Sequence, residues 1–355
     1  MRFTLRKIAL ASYLPMRLAQ LALHIRNGRA ARNEYQHRRS VDIFDFHTLA
    51  APLPPAPADV VLDNYLYGLG YSLKSFAGFP PEATHLKAYI EHGLFFGSFI
   101  HPEEHICPLS RIITFSTVRK QWLRQGGIHR AVDCIGPMIH YAPPLVDGEE
   151  ELLQSYRRQL GRTLLFFPSH SVREIQVTPR NVGSLIHQIR QLGNGFDSVL
   201  ISVFWKDFEQ MELVQAYLDA GFRVVTSGHK FDPYFLSRQR FLIRLADATA
   251  SNSVGTHIGY CLYYGKPHRL ITSELDENSP TPTAAKLATV GRSTKTDLTY
   301  TQETEEVAHQ FNTTEWLITP AQRAVVSKYW GTDLVKSPEQ IRRIIASCRV
   351  QFRGL

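Results

Sequence analysis

The stretch FRVVTSGHKFDPYFLSRQRFLIRLADATASNSVGTH, residues 222–257, decides the fold. It opens on an apolar run at 222–226 that reads as a buried strand. The run breaks at Ser227-Gly228-His229-Lys230, and a helix is expected over 233–245 behind Asp232-Pro233. A second strand follows at 248–251, then the polar corner Ser251-Asn252-Ser253-Val254-Gly255-Thr256-His257 and a helix over 256–263, closed by Tyr264-Gly265-Lys266-Pro267. Strand, polar corner and helix in strict repetition imply a parallel sheet covered by helices on both faces.

The same rhythm extends outward. Residues 163–167 read as a buried strand ending at Pro168-Ser169-His170-Ser171, and 179–192 as a helix with Thr178 as N-cap and Pro179 at its first position. A strand at 199–204, a helix at 208–220 stopped by Gly221, and a last strand at 269–272 complete the series. Upstream the pattern is weaker. Strands are expected at 60–62, 86–90, 111–115 and 132–135, the second ending on Glu91-His92-Gly93 and the third leading into a helix that runs to residue 123. A proline-rich joint at 51–57 precedes them, and a charged helix at 148–159 links the two halves. Residues 273–305 are rich in Ser, Thr, Pro and Asn and read as a lid or an insertion, and helices follow at 319–330 and 338–350. The division is an arm over 1–50, a first lobe over 51–147, a second lobe over 148–315 and C-terminal helices over 316–355. The fold class is α/β, with two Rossmann-like lobes facing a central cleft.

Composition narrows the function classes. The chain has 355 residues, with 44% hydrophobic and 20% charged residues, as in soluble two-domain proteins. Its net charge of +8 sits in residues 1–40, which hold nine Lys/Arg and the single acid Glu34, leaving the body with 31 basic and 31 acidic residues. A nucleic-acid enzyme would carry its charge along a groove of the body, so nucleic acid is not expected as a partner. The arm also holds leucines and isoleucines. Its uncharged run, 8–16, is far short of a spanning helix. It either rests on an anionic membrane surface or packs on its own domain. Cys107, Cys134, Cys261 and Cys348 are widely spaced, which fits a reducing, cytoplasmic compartment and no zinc site.

Chemistry is expected beyond the C-terminal ends of the strands, where backbone N–H groups and helix N-termini point at anionic ligands. Two such corners in succession suit the phosphates of a nucleotide-linked donor. In Glu91-His92-Gly93 a carboxylate and an imidazole stand at a strand end, and either could take a proton from an acceptor hydroxyl; adjacent residues there point opposite ways, so one of them faces the substrate. Ser169 and His170 are candidates for donor phosphate or sugar. Gly228, His229 and Lys230 offer a tight turn and two potentially cationic groups for a leaving phosphate. Ser251, Ser253, Gly255 and Thr256 stand where a helix begins, the serines serving as donor ligands or simple caps. Asp232 reads as a cap and Lys266 as part of a helix terminator. No Asp-x-Asp cluster is present, so neither a metal nor another cofactor is expected.

These residues resemble those of GT-B glycosyltransferases that build bacterial surface polysaccharides, in particular the CMP-sugar users of capsule synthesis (sialic acid and Kdo transferases) and the CDP-glycerol glycerophosphotransferases. In those families a His-Pro and a serine-pair motif hold the donor nucleotide; Gly228-His229-Lys230 and Ser251-Asn252-Ser253 stand in their places, with Lys230 instead of Pro. A Trp-His-Gly motif carries the catalytic His of the glycerophosphotransferases. His92-Gly93 matches it, with Glu91 instead of Trp. The resemblance spans about residues 60–272. It implies a GT-B architecture, a cytidine-nucleotide sugar as donor, a lipid-linked or oligosaccharide acceptor, and His92 as base. A polyol-phosphate transferase with a CDP-linked donor is the near alternative, and a non-catalytic membrane- or nucleic-acid-binding protein the distant one.

Overall fold

The computed structural model describes residues 13–56, 59, 61–171, 175–278 and 298–350. Two parallel sheets form its frame. In the first lobe, β1 (Tyr89–Ile90), β2 (Arg111–Thr114) and β3 (Ala131–Cys134) lie side by side in that order. The helix Thr117–Gln125 follows β2, capped by the Ser116 hydroxyl, which accepts from the backbone N–H of Arg119.

The second lobe contributes β4 (Thr163–Phe167), β5 (Gln176–Pro179), β6 (Ser198–Ser202), β7 (Arg223–Val225), β8 (Ala248–Ser251), β9 (His268–Leu270) and β10 (Leu275–Asn278). Five of these pair in parallel in the order β7-β6-β4-β8-β9. The chain begins in the middle, winds outward through β6 and β7, then crosses back to β8 and β9. Neighbouring connections therefore leave β4 and β8 in opposite directions, and a crevice opens beyond their C-terminal ends. β4 is buried along its whole length, as the unbroken apolar run Leu164-Leu165-Phe166-Phe167 requires of a central strand.

Three expectations are corrected by local structure. The strand at 60–62 is not formed at Leu62, which begins a 3-10 helix, Leu62–Gly68. The helix expected from 179 starts at Val182: Thr178 and Pro179 belong to β5, which pairs antiparallel with β10, and Asn181 caps the helix instead by accepting from Ser184 N at 2.8 Å. Proline tolerates the edge position because it has no ladder bond to lose there. The polar segment 273–305 is not without regular structure, since β10 and the start of the helix Leu298–Phe311 lie inside it; residues 279–297 fall outside the described ones.

The lobes share one core. Ile90 and Phe115 of the first cluster with Leu165 and Tyr260 of the second and with Trp330 of the C-terminal helix Pro320–Trp330. The last helix, Pro338–Ser347, returns to the first lobe, where Arg342 Nε donates to Ala77 O at 3.0 Å. The arm from Tyr13 to Arg39 is one helix of 27 residues laid against the body. Its Met16, Ala31 and Tyr35 are buried on the face toward the body, and its Arg38 donates to the carbonyls of Leu49 and Ala51 at 3.1 and 2.8 Å.

Candidate functional site

Beyond the C-terminal ends of β4 and β8 the two corners are tied together by hydrogen bonds. Ser169 N donates to Asn252 Oδ1 at 2.6 Å, the Ser169 hydroxyl reaches the same oxygen at 3.1 Å, and Asn252 Nδ2 donates to Ser273 Oγ at 2.7 Å. Asn252, which stands between the two candidate serines, thus ties the corners together. Ser251 lies deeper. It is buried, its hydroxyl donates to Ser253 O at 2.9 Å, and His268 Nε2 stands 3.0 Å from it, so it shapes the corner from inside the sheet.

The helix Thr256–Tyr263 begins at Gly255, an N-cap with no side chain to satisfy the first N–H groups. The first lobe meets the second at this helix end: Leu94 N donates to Thr256 Oγ1 at 3.0 Å, and a Cβ at Gly93 would stand 3.6 Å from that oxygen. On the far side Trp330 Nε1 donates to Thr256 O at 2.9 Å. Gly259 lets the indole approach, since a Cβ there would sit 2.3 Å from the ring. His257 stacks on Phe167 at 4.8 Å, and burial, helped by His170, pushes it down to about 3, so its ring is neutral.

The corner after β7 is held from below. Gly228 has φ of 98°, and a Cβ there would stand 2.6 Å from Arg238 Nη1. Buried Arg238 donates to Ser227 O at 2.7 Å and pairs with buried Asp232 at 3.1 Å. Asp232 Oδ1 accepts from Tyr234 N at 2.8 Å and closes a short turn; the helix expected over 233–245 begins at Phe235 behind Tyr234, which has no side-chain cap, so the capping role expected of Asp232 is corrected. His229 departs from expectation in its charge. Burial, and then Lys230 and Arg38, push it down to about 3. Its Nδ1 lies 3.2 Å from Leu53 N and 3.3 Å from Phe231 N and accepts from both, which leaves the proton on Nε2. His229 is therefore a neutral donor, and Lys230 is the cation of this corner. The Lys230 ammonium stands 4.8 Å from the ring centre of Trp205 and 5.1 Å from that of Phe231.

In the first lobe the structure separates the Glu91-His92 pair. Glu91 is fully buried; Arg119 Nε donates to it at 2.7 Å, and the Thr114 hydroxyl also donates to it. Glu104 lies 3.6 Å from Arg119, and burial together with the Glu91 charge pushes it up to about 9. The Glu91 carboxylate thus belongs to an ion-pair cluster inside the lobe. His92 sits among rings, with Phe95 at 5.5 Å and Tyr67 at 6.4 Å. Tyr67 stands 6.3 Å from Phe204, which packs at 4.4 Å on exposed His170. A line of rings, His92–Tyr67–Phe204–His170, therefore joins the two lobes across the site.

Tyr67 is the one non-glycine among the described residues with positive φ, 60°, and its N–H donates to Lys230 O at 2.7 Å. Holding a phenylalanine-like side chain in this region costs roughly 1–2 kcal/mol, which the contacts around it must offset. Nothing local in the sequence marks Tyr67. Phe204 and Trp205 were findable, because they stand at the C-terminal end of β6, where side chains meet ligands. A separate small hollow lies away from these corners, between the Tyr13–Arg39 helix and residues 59–74, and is lined in part by the buried Lys74–Asp59 pair at 3.0 Å.

No family model and no curated protein matches the chain. Solved structures with a similar trace include a glycosyltransferase from Rickettsia africae, 12% identical over 79% of this chain and 82% of its own, with a TM-score of 0.32. A UDP-GlcNAc 2-epimerase from Methanocaldococcus jannaschii is 14% identical over 69% of this chain and 63% of its own, with a TM-score of 0.33. The N-terminal domain of Candida albicans trehalose-6-phosphate phosphatase is 11% identical over 79% and 68%, with a TM-score of 0.31. These are loose likenesses of chain trace, and they carry no assignment of chemistry.

Proposed function

We propose that this chain is a glycosyltransferase that moves a sugar from a nucleotide-sugar donor, with a cytidine nucleotide favoured, to a growing bacterial surface polysaccharide such as capsule or O-antigen. The observation that carries the reading is the meeting of the His92-Gly93-Leu94 loop with the uncapped helix start at Gly255-Thr256, beside the crevice of β4 and β8. In this reading His92 supplies the base and the helix start at Gly255 receives the leaving phosphate, the two parts that direct displacement needs.

In this scheme His92 takes the proton of an acceptor hydroxyl as that oxygen attacks the anomeric carbon. The bond from that carbon to the donor phosphate breaks, and its electron pair leaves with the phosphate oxygen. Ser253, Gly255 and Thr256 receive the phosphate at the helix start, with the His229 Nε2–H and the Lys230 ammonium as further donors. Ser169 and Gly228 hold the corners open, and His170 with Phe204 offers a stacking face to the donor. Glu91 takes no proton here; its bonds to Arg119 and Thr114 hold the strand end that presents His92. No metal or other cofactor takes part, and the nucleotide pool is cytoplasmic.

The test is release of free nucleotide from CMP-, CDP-, UDP- and GDP-linked sugars with an oligosaccharide acceptor. His92→Ala is expected to lower kcat by about 10²–10⁴ while leaving nucleotide binding intact. Full activity in that variant would remove His92 from the mechanism. Product analysis separates a glycoside from the phosphodiester of a polyol-phosphate transfer.

A further inference from the structure

The Tyr13–Arg39 helix buries one face against the body and leaves the other uncovered. On the open face Leu14, Leu18, Leu21 and Ile25 are 65%, 59%, 50% and 75% exposed. Their spacing of four, three and four residues puts them in one stripe, about 16 Å long at 1.5 Å per residue. From Leu14 to Ile25 every exposed residue is apolar; beyond it Arg26, Arg29 and Arg32 are exposed. Isolated surface leucines are ordinary, whereas a continuous stripe ending in arginines is a surface with a partner.

We infer that this stripe lies in the headgroup and acyl boundary of an anionic lipid bilayer, with the arginines on its phosphates. The charge balance selects the occupant. Residues 1–40 hold nine basic residues and one acid, Glu34. Glu34 is taken by Arg38 at 2.7 Å and Glu82 stands 3.9 Å from Arg32, so a second copy of the same face would bring Arg26 and Arg29 to arginines with no further carboxylate from residues 1–40 between them. A bilayer supplies both an apolar layer for the leucines and negative charge for the arginines. Among the described residues no helix is long and apolar enough to cross a membrane, so the contact is made along the surface. This inference does not depend on the chemistry of the cleft.

The test is sedimentation of the full chain with vesicles of phosphatidylcholine, with and without phosphatidylglycerol, at low and high salt. Recovery with the phosphatidylglycerol vesicles, falling with salt, is expected. Leu18→Ser together with Leu21→Ser should weaken it by at least about tenfold with an unchanged melting temperature, since both side chains face solvent. Arg26→Gln with Arg29→Gln should reduce the preference for phosphatidylglycerol. Failure of the natural chain to sediment with either vesicle would overturn the inference, as would equal binding by the leucine variant. A dimer that the leucine variant converts to monomer, without vesicle binding, would overturn it in favour of a second copy.

Discussion

Arg119→Met puts the division of labour between Glu91 and His92 to a quantitative test. Arg119 is buried and holds Glu91 through Nε at 2.7 Å and Nη2 at 2.6 Å, while its Nη1 donates to Phe99 O at 2.7 Å. Methionine matches the length of the chain but leaves a fully buried carboxylate without the charge that balances it. Breaking a buried pair from one side costs about 3–5 kcal/mol, because the remaining charge is left without compensation. For a chain of this length that is a fall of roughly 4–7 °C in melting temperature. The double variant Glu91→Gln/Arg119→Met removes both charges and should lose less than the sum of the single variants, with a coupling of about 2 kcal/mol or more. Urea denaturation of the four proteins completes the cycle. A loss below about 1 kcal/mol for Arg119→Met, or a coupling near zero, would refute the structural role given to Glu91.

Two further outcomes follow from the site. His229 and His257 are both pushed down to about 3, so the unfolded chain takes up protons that the folded chain refuses once pH falls below the ordinary value of about 6.5. Stability is therefore full above that value and lost between about 6.5 and 3, at up to about 1.4 kcal/mol per pH unit for each histidine; melting temperatures from pH 8 to 4 should show the slope, and a flat profile would contradict the neutral assignment. Gly228→Ala forces a Cβ to 2.6 Å from Arg238 Nη1 at φ of 98°, and a loss of roughly 1–3 kcal/mol is expected in denaturant melts, against no change if the turn can relax.

The second lobe was legible because its strands are buried apolar runs with a polar corner after each, a pattern set by the sheet itself. The strand order was not, since nothing in Thr163–Phe167 or Ala248–Ser251 tells which strands pair; that order is what brings Ser169 to Asn252. The first lobe was harder because β1 has two residues, too few to show a period. Glu91 and His92 could be read as one at a strand end facing the substrate, but which one depends on Arg119, 28 residues away, whose guanidinium claims the carboxylate. Tyr67 and Trp330 reach the site through long-range packing that no local spacing encodes. The arm showed both of its characters in composition, and only the packing of Met16, Ala31 and Tyr35 reveals that the leucines lie on the opposite face.

A nucleotide site at the meeting of the two lobes is tested by the shift in melting temperature of the purified chain with CMP, CDP, UDP and GDP, each with and without a divalent metal. Metal-independent stabilisation, largest with a cytidine nucleotide and lost on Thr256→Pro at the helix start, is the predicted result. No stabilisation by any of the four, up to millimolar concentration, would contradict it.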